Sequence, residues 1–519
     1  MPPGVQLLIP LLVWALQVPP PSPSSSAEAG PALQRAAVLV QQGRLDEADR
    51  QAQIALGDPT TKAGAYSVLG AIRYQQKRLD ESAAMLQKAI QIEPKLVGAR
   101  LNLAEVYSDQ GKSAEALLMF QKVLELDPSN ALARLAVARD ETTKGQYAKS
   151  WALLQPVLDQ VKTSPDGLLV LATDSLKLGH RQATTSFAAE WMRLSDVPQQ
   201  WSVSFALVLI QGGAVQDGID VLEHAKGTAP ASYELAFNLG SAYLVKGDVA
   251  KALTAYDEAL AVQPDAVQAL QQAAATAEQQ NELERSLSYW MRLKKLRPDD
   301  PATLHGFGRV CLKMDLLDDA EPALTKAASL KPADPAYQYT LAAAKVGKRQ
   351  FDAARALLEP LVAAHPNEAQ LHYALGSVLY LEGRLPDAAE HLQASVRLQP
   401  DQLAANYYLA LVARDQGQDA EAIERLQKVL AQHPEHAPSC EALGGLLMNA
   451  QRYPEAEAQL RTAIRLNPAS VKANYQLGLL LARMGKKDEA DKQLELAKSL
   501  RKEDEATSRL QLRLLEQAP

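Results

Sequence analysis

The sequence predicts an all-α fold built from about fourteen copies of a 34-residue helix–turn–helix repeat. Two observations lead to this fold class: prolines recur with a step of 34 residues, and small residues occupy two fixed positions in every copy. Because Pro lacks an N–H and fixes its φ, evenly spaced prolines separate helical segments of equal length. Repeats are numbered 1 to 14 from Ala29, and a position within a repeat is called its place.

The prolines lie at place 32 of the repeat. Ten of the twelve such positions between residues 94 and 468 hold Pro, whereas 30 prolines in 519 residues would put fewer than one there by chance. They are Pro94, Pro128, Pro230, Pro264, Pro298, Pro332, Pro366, Pro400, Pro434 and Pro468. Lys162 and Asp196 interrupt the series, and no insertion is needed between residues 29 and 504.

Small residues occupy places 8 and 20 in all fourteen repeats. Place 8 is Ala or Gly throughout, as at Gly240 and Gly376, and place 20 is Ala, Ser, Thr or Gly, as at Ala388. Two helices joined by a short turn pack at roughly 8–10 Å, so a large side chain does not fit where their backbones approach. We therefore predict the closest approach of the two helices here, with larger residues such as Tyr256 and Leu392 at place 24 beside it.

Residues 233–266 show the pattern most completely. Apolar and small residues fall on one face of each predicted helix at helical spacing. Gly247 and Asp248 are predicted to form the turn, with Asp248 capping the second helix. Pro264 is predicted to end that helix.

A period of 34 residues with this pattern resembles the tetratricopeptide repeat family, over about residues 29–504. The resemblance implies a right-handed α-solenoid superhelix over residues 30–504, in which first helices line the concave side and each repeat contacts only its neighbours. Within it, the block 131–232 is degenerate, and Gly212–Gly213 and Gly218 are expected to loosen its helices. A flexible joint, a specialised binding segment and simple sequence drift are the alternatives for that block.

Both ends of the chain differ from the repeats. Residues 1–29 resemble a signal peptide, because the uncharged apolar run Val5–Val18 is followed by Pro, Ser and a small-x-small cleavage site before Gly30. The run is short for a membrane span, and no Lys or Arg occurs in the segment. The sequence therefore predicts an exported protein, periplasmic or secreted, with a cytoplasmic location as the alternative and membrane contact only through an uncleaved N-terminus. Residues 505–519 are predicted to form a capping helix or tail.

Composition argues against several functional classes. A net charge of −7 provides no basic field for nucleic acid. Cys311 and Cys440 lie nearly four repeats apart, and both are expected to be small buried hydrophobic residues. His433 and His436 precede Cys440 at metal-like spacing, but a zinc site would need a fourth ligand, so an ordinary turn is predicted. No catalytic or nucleotide motif is present, which predicts a non-catalytic protein without cofactor or metal.

Tyrosines at place 5 of the C-terminal repeats are the predicted partner-binding residues, namely Tyr339, Tyr373, Tyr407 and Tyr475. Tyrosine combines a large contact area and a polar tip with little entropy cost, which suits a protein interface. Place 5 is expected to face the concave groove. The alternative is that these rings pack between neighbouring first helices.

Asn102 and Asn238 at place 6 are further candidates for partner binding. Their repeats are not adjacent, so the sequence does not predict capture of a peptide backbone by an asparagine ladder. No repeat has Lys at place 5, which argues against the clamp that some members of the family use for chaperone tails.

The function predicted from these features is a scaffold or adaptor that binds protein or extended peptide in its groove. The alternative is an accessory subunit of an export, secretion or polysaccharide-assembly machine.

Overall fold

The computed structural model describes residues 28–228 and 230–507, with side chains through Arg501, and every regular element within them is a helix. Each repeat contributes a first and a second helix. The first helices are α1 (Ala29–Gln41), α3 (Lys62–Gln75), α5 (Val97–Asp109), α7 (Ala131–Thr143), α10 (Pro165–Leu178), α12 (Gln199–Gln211), α14 (Tyr233–Lys246), α16 (Val267–Gln279), α18 (Pro301–Lys313), α20 (Pro335–Gly347), α22 (Ala369–Leu381), α24 (Leu403–Asp415), α26 (Ala437–Asn449) and α28 (Val471–Arg483). The second helices are α2 (Leu45–Leu56), α4 (Leu79–Ile92), α6 (Ser113–Leu126), α8 (Tyr147–Leu154) with its continuation α9 (Leu158–Val161), α11 (Arg181–Trp191), α13 (Val215–Thr228), α15 (Val249–Val262), α17 (Leu283–Leu296), α19 (Leu317–Leu330), α21 (Phe351–Ala364), α23 (Leu385–Leu398), α25 (Asp419–Gln432), α27 (Tyr453–Leu466) and α29 (Lys487–Thr507).

The starting residues of the helices confirm the 34-residue register. First helices begin at place 1 in thirteen repeats and one residue earlier in α3, and second helices begin at place 17 in all fourteen. The predicted all-α helical repeat is therefore confirmed.

The chain divides into an N-terminal region, residues 1–264, and a C-terminal region, residues 265–519. Within each region the most extensive packing is between the two helices of one repeat. Within a region, most second helices then pack against the first helix that follows, and many consecutive first helices also touch. The core of each region is thus a series of similar layers, as expected for a repeat protein.

Places 8 and 24 meet inside each repeat. A Cβ atom built on any of the six glycines at place 8 would lie 2.5 to 2.7 Å from a side-chain atom at place 24 of the same repeat. These pairs are Gly70–Leu86, Gly240–Tyr256, Gly308–Leu324, Gly376–Leu392, Gly444–Leu460 and Gly478–Leu494. Ala252 and Ala388 at place 20 are fully buried. The close approach predicted from the small residues is confirmed.

The turn between the two helices uses a left-handed residue at place 15. Gly247 has φ +86°, and the side chain of Asp248 accepts a hydrogen bond from Lys251 N, which confirms the predicted turn and cap. Five repeats have a non-glycine residue at this place, with φ between +58° and +61°. They are Lys77, Asn281, Asp315, Arg349 and Gln451.

The degenerate block 131–232 keeps the repeat architecture but has an irregular second helix in repeat 4. A 3₁₀ turn at Gln155–Val157 separates α8 from α9 and contains Pro156, which has no N–H to donate to the preceding turn. The expectation that glycines loosen this block is wrong at two sites. Gly213 is the ordinary left-handed turn residue, and a Cβ on Gly218 would lie 2.6 Å from Ile210 Cγ1, so close packing requires glycine there.

The two ends of the chain are described in part. The predicted signal segment falls outside the described residues except for its last two, and helix α1 begins at Ala29. Helix α29 is 21 residues long, compared with 14 for most second helices, and it includes the first residues of the predicted capping tail. The rest of that tail, residues 508–519, lies outside the description. No described helix is long and apolar enough to cross a membrane.

Candidate partner-binding surface

The four tyrosines predicted to bind a partner differ widely in exposure. Tyr339 and Tyr373 are 2% and 4% exposed, Tyr407 is half-buried, and Tyr475 is 51% exposed. For Tyr339 and Tyr373 the expectation of a ring facing an open groove is therefore wrong, and the alternative of packing between first helices describes them. Tyr475 belongs to the last repeat, where the description includes no following first helix that could cover it.

Tyr339 is held by a polar network that links repeats 10 and 11. Its hydroxyl accepts a 2.7 Å hydrogen bond from Gln370 Nε2, and Gln370 Oε1 accepts one of 2.9 Å from Gln402 Nε2. Burial raises the pKa of Tyr339 to about 12. A side chain held in this way positions two repeats against each other rather than offering its ring to a partner.

A compact aromatic group, called here the tyrosine cluster, lies on the first helices α22 and α24. It consists of Tyr373, Tyr380, Tyr407 and Tyr408. Tyr408 is central: its ring lies 6.0 Å from that of Tyr373, 5.4 Å from Tyr380 and 5.7 Å from Tyr407, all nearly edge-to-face. Such geometry is favourable for aromatic pairs. Tyr380, Tyr407 and Tyr408 keep part of their surface exposed.

Charged groups border the tyrosine cluster. The Tyr380 hydroxyl donates a 2.7 Å hydrogen bond to Asp415 Oδ2 and accepts one of 3.2 Å from Arg414 Nη2. Arg414 Nε also donates to Asp415 Oδ1 at 2.7 Å. Burial, and then the hydrogen bond to Asp415, raise the pKa of Tyr380 to about 12. The tyrosine is therefore neutral at physiological pH.

The border continues onto α26. The ring of Tyr407 meets that of His436 edge-to-face at 5.2 Å. Glu441 pairs with Lys472 at 2.9 Å and accepts a 2.7 Å hydrogen bond from Ser470 Oγ. Half-exposed aromatic rings beside polar groups with fixed positions are typical of the centre of a protein interface.

The sequence missed Tyr380, which lies at place 12 rather than place 5. The signal that could have found it is the packing of consecutive first helices. This packing brings place 12 of one repeat beside places 6 and 13 of the next.

The two asparagines at place 6 lie in different settings. Asn102 is 2% exposed, and its Nδ2 is buried without a hydrogen-bond partner. Asn238 is half-buried, and its Nδ2 donates to the carbonyl oxygen of Glu234 at 2.7 Å within the same helix. Neither geometry tests partner binding, which stays a prediction for both residues.

The histidine and cysteine residues around Pro434 are engaged in local structure. His436 Nδ1 lies 2.7 Å from Ser439 Oγ, and Cys440 is buried. Cys311 is buried too, so the prediction of two unpaired core cysteines is confirmed. Among the described residues, no group of three or more His, Cys, Asp or Glu side chains is arranged to hold a metal ion.

Three family models, each described as a tetratricopeptide repeat, match the sequence. One matches residues 33–96, 339–402, 386–437 and 442–500, a second matches 73–139 and 413–465, and the third matches 233–266. Together they cover more than half of the chain. The chain belongs to the tetratricopeptide repeat family. Tetratricopeptide repeats generally support protein interaction, so the assignment supports an interaction scaffold.

Several solved structures resemble this tetratricopeptide repeat chain. A chain in the crystal structure of the APC/C hetero-tetramer Cut9–Hcn1 is 15% identical to this chain. The aligned part covers 84% of this chain and 93% of that chain, with a TM-score of 0.41. Yeast Tom70 is 16% identical, and the aligned part covers 91% of this chain and 96% of Tom70, with a TM-score of 0.35. MamA is 25% identical, and the aligned part covers 32% of this chain and 98% of MamA, with a TM-score of 0.29. No curated protein matches the sequence.

Proposed function

We propose that this tetratricopeptide repeat protein is a non-catalytic scaffold that binds protein or extended peptide along the first helices of its C-terminal region. The observation that supports this proposal is the tyrosine cluster with its border of Arg414, Asp415 and Glu441. Aromatic and Arg side chains with fixed geometry contribute most of the binding energy at protein interfaces. The first helices of repeats 11 and 12 combine both residue types within a short distance.

Site-specific photo-crosslinking tests which face binds. A photoreactive amino acid is placed at Asn449, exposed at the end of the first helix α26, or at Lys428, exposed on the second helix α25. The full chain is then irradiated in extract of its source. We expect adducts from position 449 and none from position 428. Adducts from position 428 alone, or from neither, would contradict the proposal.

The partner identified by crosslinking then allows a quantitative test. Tyr407→Ala and Arg414→Ala are each expected to weaken binding on the order of tenfold, because both side chains border the same surface. Lys428→Ala serves as the matched surface control and should leave the affinity unchanged. The identity of the partner also distinguishes an independent scaffold from a subunit of a secretion or assembly machine.

We further propose that residues 1–29 direct export of the protein. The apolar run and the small-x-small motif before Gly30 support this proposal. N-terminal sequencing of the protein isolated from its source is the test. A mature chain that starts at Gly30 is expected, and an intact N-terminal segment on the exported or cytoplasmic protein would contradict cleavage.

A further inference from the structure

The first helix α5 carries two carboxyl groups one turn apart, Glu105 and Asp109. The Tyr74 hydroxyl, on the neighbouring first helix α3, donates a 2.8 Å hydrogen bond to Asp109 Oδ2. Glu105 makes no hydrogen bond or ion pair with any described side chain. Burial, and then the charge of Asp109, raise its pKa to about 7. The pKa of a partly buried carboxyl group rises in this way when no nearby cation stabilises its charged form.

The nearby cations of the neighbouring repeats make other contacts. Arg73 of α3 pairs with Asp49 at 2.8 Å, and Arg139 of α7 pairs with Asp166. Lys77 lies over the ring of Tyr74, the tyrosine that donates to Asp109, at 5.5 Å from the ring centre. Within the described part of the chain, none of these three cations contributes to the pKa of Glu105. Among the described residues, no cation therefore forms an ion pair with Glu105 or Asp109.

Repeats 11 and 12 show the same arrangement with the cation present. There the hydrogen bond between Tyr380 and Asp415 joins the same two places, 12 and 13. Arg414, at place 12 of repeat 12, lies between them and donates to both, at 3.2 Å and 2.7 Å. Repeat 3 has Ser108 at that place instead, and its hydroxyl donates to the carbonyl oxygen of Ala104 within α5. The N-terminal arrangement thus has a serine where the C-terminal one has an arginine.

Asn102 adds an independent observation. It lies one turn before Glu105 on the same face of α5, and it is almost completely buried. Its Nδ2 has no hydrogen-bond partner, although an unpaired buried donor costs about 1–3 kcal/mol. An acceptor supplied from outside the chain would remove that cost.

We propose that Glu105, Asp109 and Asn102 bind a lysine or arginine residue of a partner peptide. The cationic side chain takes the place that Arg414 occupies in the C-terminal region and pairs with the two carboxylates. On binding, the Asn102 amide, which is buried in the free chain, turns outward so that a backbone carbonyl of the peptide accepts its hydrogen bond. This site belongs to the N-terminal region and does not depend on the tyrosine cluster.

The proposal is tested with a defined probe and the full chain. The probe is a fluorescent peptide with blocked ends in which arginines alternate with glycines, and its neutral counterpart contains citrulline in place of arginine. We expect the arginine peptide to bind at about pH 8 and the citrulline peptide to bind at least about tenfold more weakly. Equal binding of both peptides, or no binding of the arginine peptide at about 1 mM, would overturn the proposal.

Matched variants locate the site. Glu105→Gln keeps the shape of the side chain and should weaken binding about tenfold. Glu115→Gln removes the same charge from an exposed position on the second helix α6 of the same repeat, and should change the affinity less than about twofold. Circular dichroism confirms that both variants are folded. An equal loss in the two variants would show that only the overall charge matters, and the site would be rejected.

The pH dependence gives a second, independent test. Because the pKa of Glu105 is about 7, binding should strengthen as the pH rises through 7 and Glu105 loses its proton. Glu105→Gln should abolish this step. A dispersed acidic surface, whose carboxyl groups lose their protons near pH 4, would show no step at pH 7. A flat profile for the unmodified chain would contradict the proposal.

Discussion

The hydroxyl of Tyr380 donates a 2.7 Å hydrogen bond to Asp415 Oδ2 and so joins first helix α22 to first helix α24. Tyr74 and Asp109, at the same two places in repeats 2 and 3, form the same bond at 2.8 Å. The stability of a repeat protein depends on the interfaces between nearest neighbours. These bonds therefore add directly to the free energy that keeps adjacent repeats together.

Tyr380→Phe removes the donor to Asp415 and the acceptor for Arg414 while keeping the ring. We expect a loss of about 1 kcal/mol in the free energy of unfolding of the C-terminal region, because a hydrogen bond to a charged group is lost at a half-buried site. Urea denaturation followed by circular dichroism measures the change. Tyr475→Phe, at an exposed ring, is the control and should be neutral. Equal midpoints for Tyr380→Phe and the unmodified chain would show that the bond does not stabilise the interface.

Ala388→Leu places a large side chain at place 20, where the two helices of repeat 11 approach. Ala388 is fully buried, and the adjacent place 8 is so close that a Cβ on Gly376 would lie 2.7 Å from Leu392 Cγ. We expect overpacking to cost roughly 1–3 kcal/mol. Thermal melts would show the loss. The same substitution at the exposed Ala363 of α21 should have little effect, and a similar change at both sites would contradict the assigned contact.

Arg349→Gly should stabilise the protein. Arg349 is exposed in the turn between α20 and α21 and has φ +59°, a conformation that costs an L-residue about 1 kcal/mol and glycine almost nothing. The midpoint of thermal unfolding should therefore rise. Gln350→Gly, one residue later at φ −91°, is the control and should be neutral or destabilising, because there is no strain to relieve. A lower midpoint for Arg349→Gly would show that the turn is not strained.

His305 should make the C-terminal region sensitive to acid. Its Nε2 lies 2.9 Å from Thr340 Oγ1 of the next repeat, and burial, and then Arg309, lower its pKa to about 4. The unfolded chain binds the proton first, near pH 6.5, so stability should fall as the pH drops from about 6.5 to about 4.

His305→Gln provides the comparison for this pH dependence, since Gln can bond to Thr340 but does not titrate. The unmodified protein should lose more thermal stability than His305→Gln as the pH falls from 7 to about 4. The difference between their melting temperatures should therefore be smaller at about pH 4 than at about pH 7. A constant difference over this range would show that the imidazole is protonated equally in both states.

The sequence predicted local features well because each depends on few residues. The turn at Gly247 and the cap at Asp248 follow from backbone conformation and from one side-chain acceptor. The close approach at Gly376 follows from the absence of a Cβ. The small residues at places 8 and 20 recur in all fourteen repeats, so that part of the pattern is supported many times over. The binding residues were harder to predict, because place 5 meets different surroundings in different repeats.

The sequence by itself determined the all-α repeat, its 34-residue register and the membership of the family, because periodic prolines and small residues constrain every helix pair alike. The tertiary structure alone decided which tyrosines are exposed. Tyr339 is covered because Gln370 of the next repeat reaches its hydroxyl, whereas Tyr475 has no described repeat after it. It also decided that Tyr380 and Tyr408 form one cluster and that, among the described residues, no cation pairs with Glu105. Such contacts join residues about one repeat apart, and they depend on how consecutive first helices pack rather than on the pattern within a repeat.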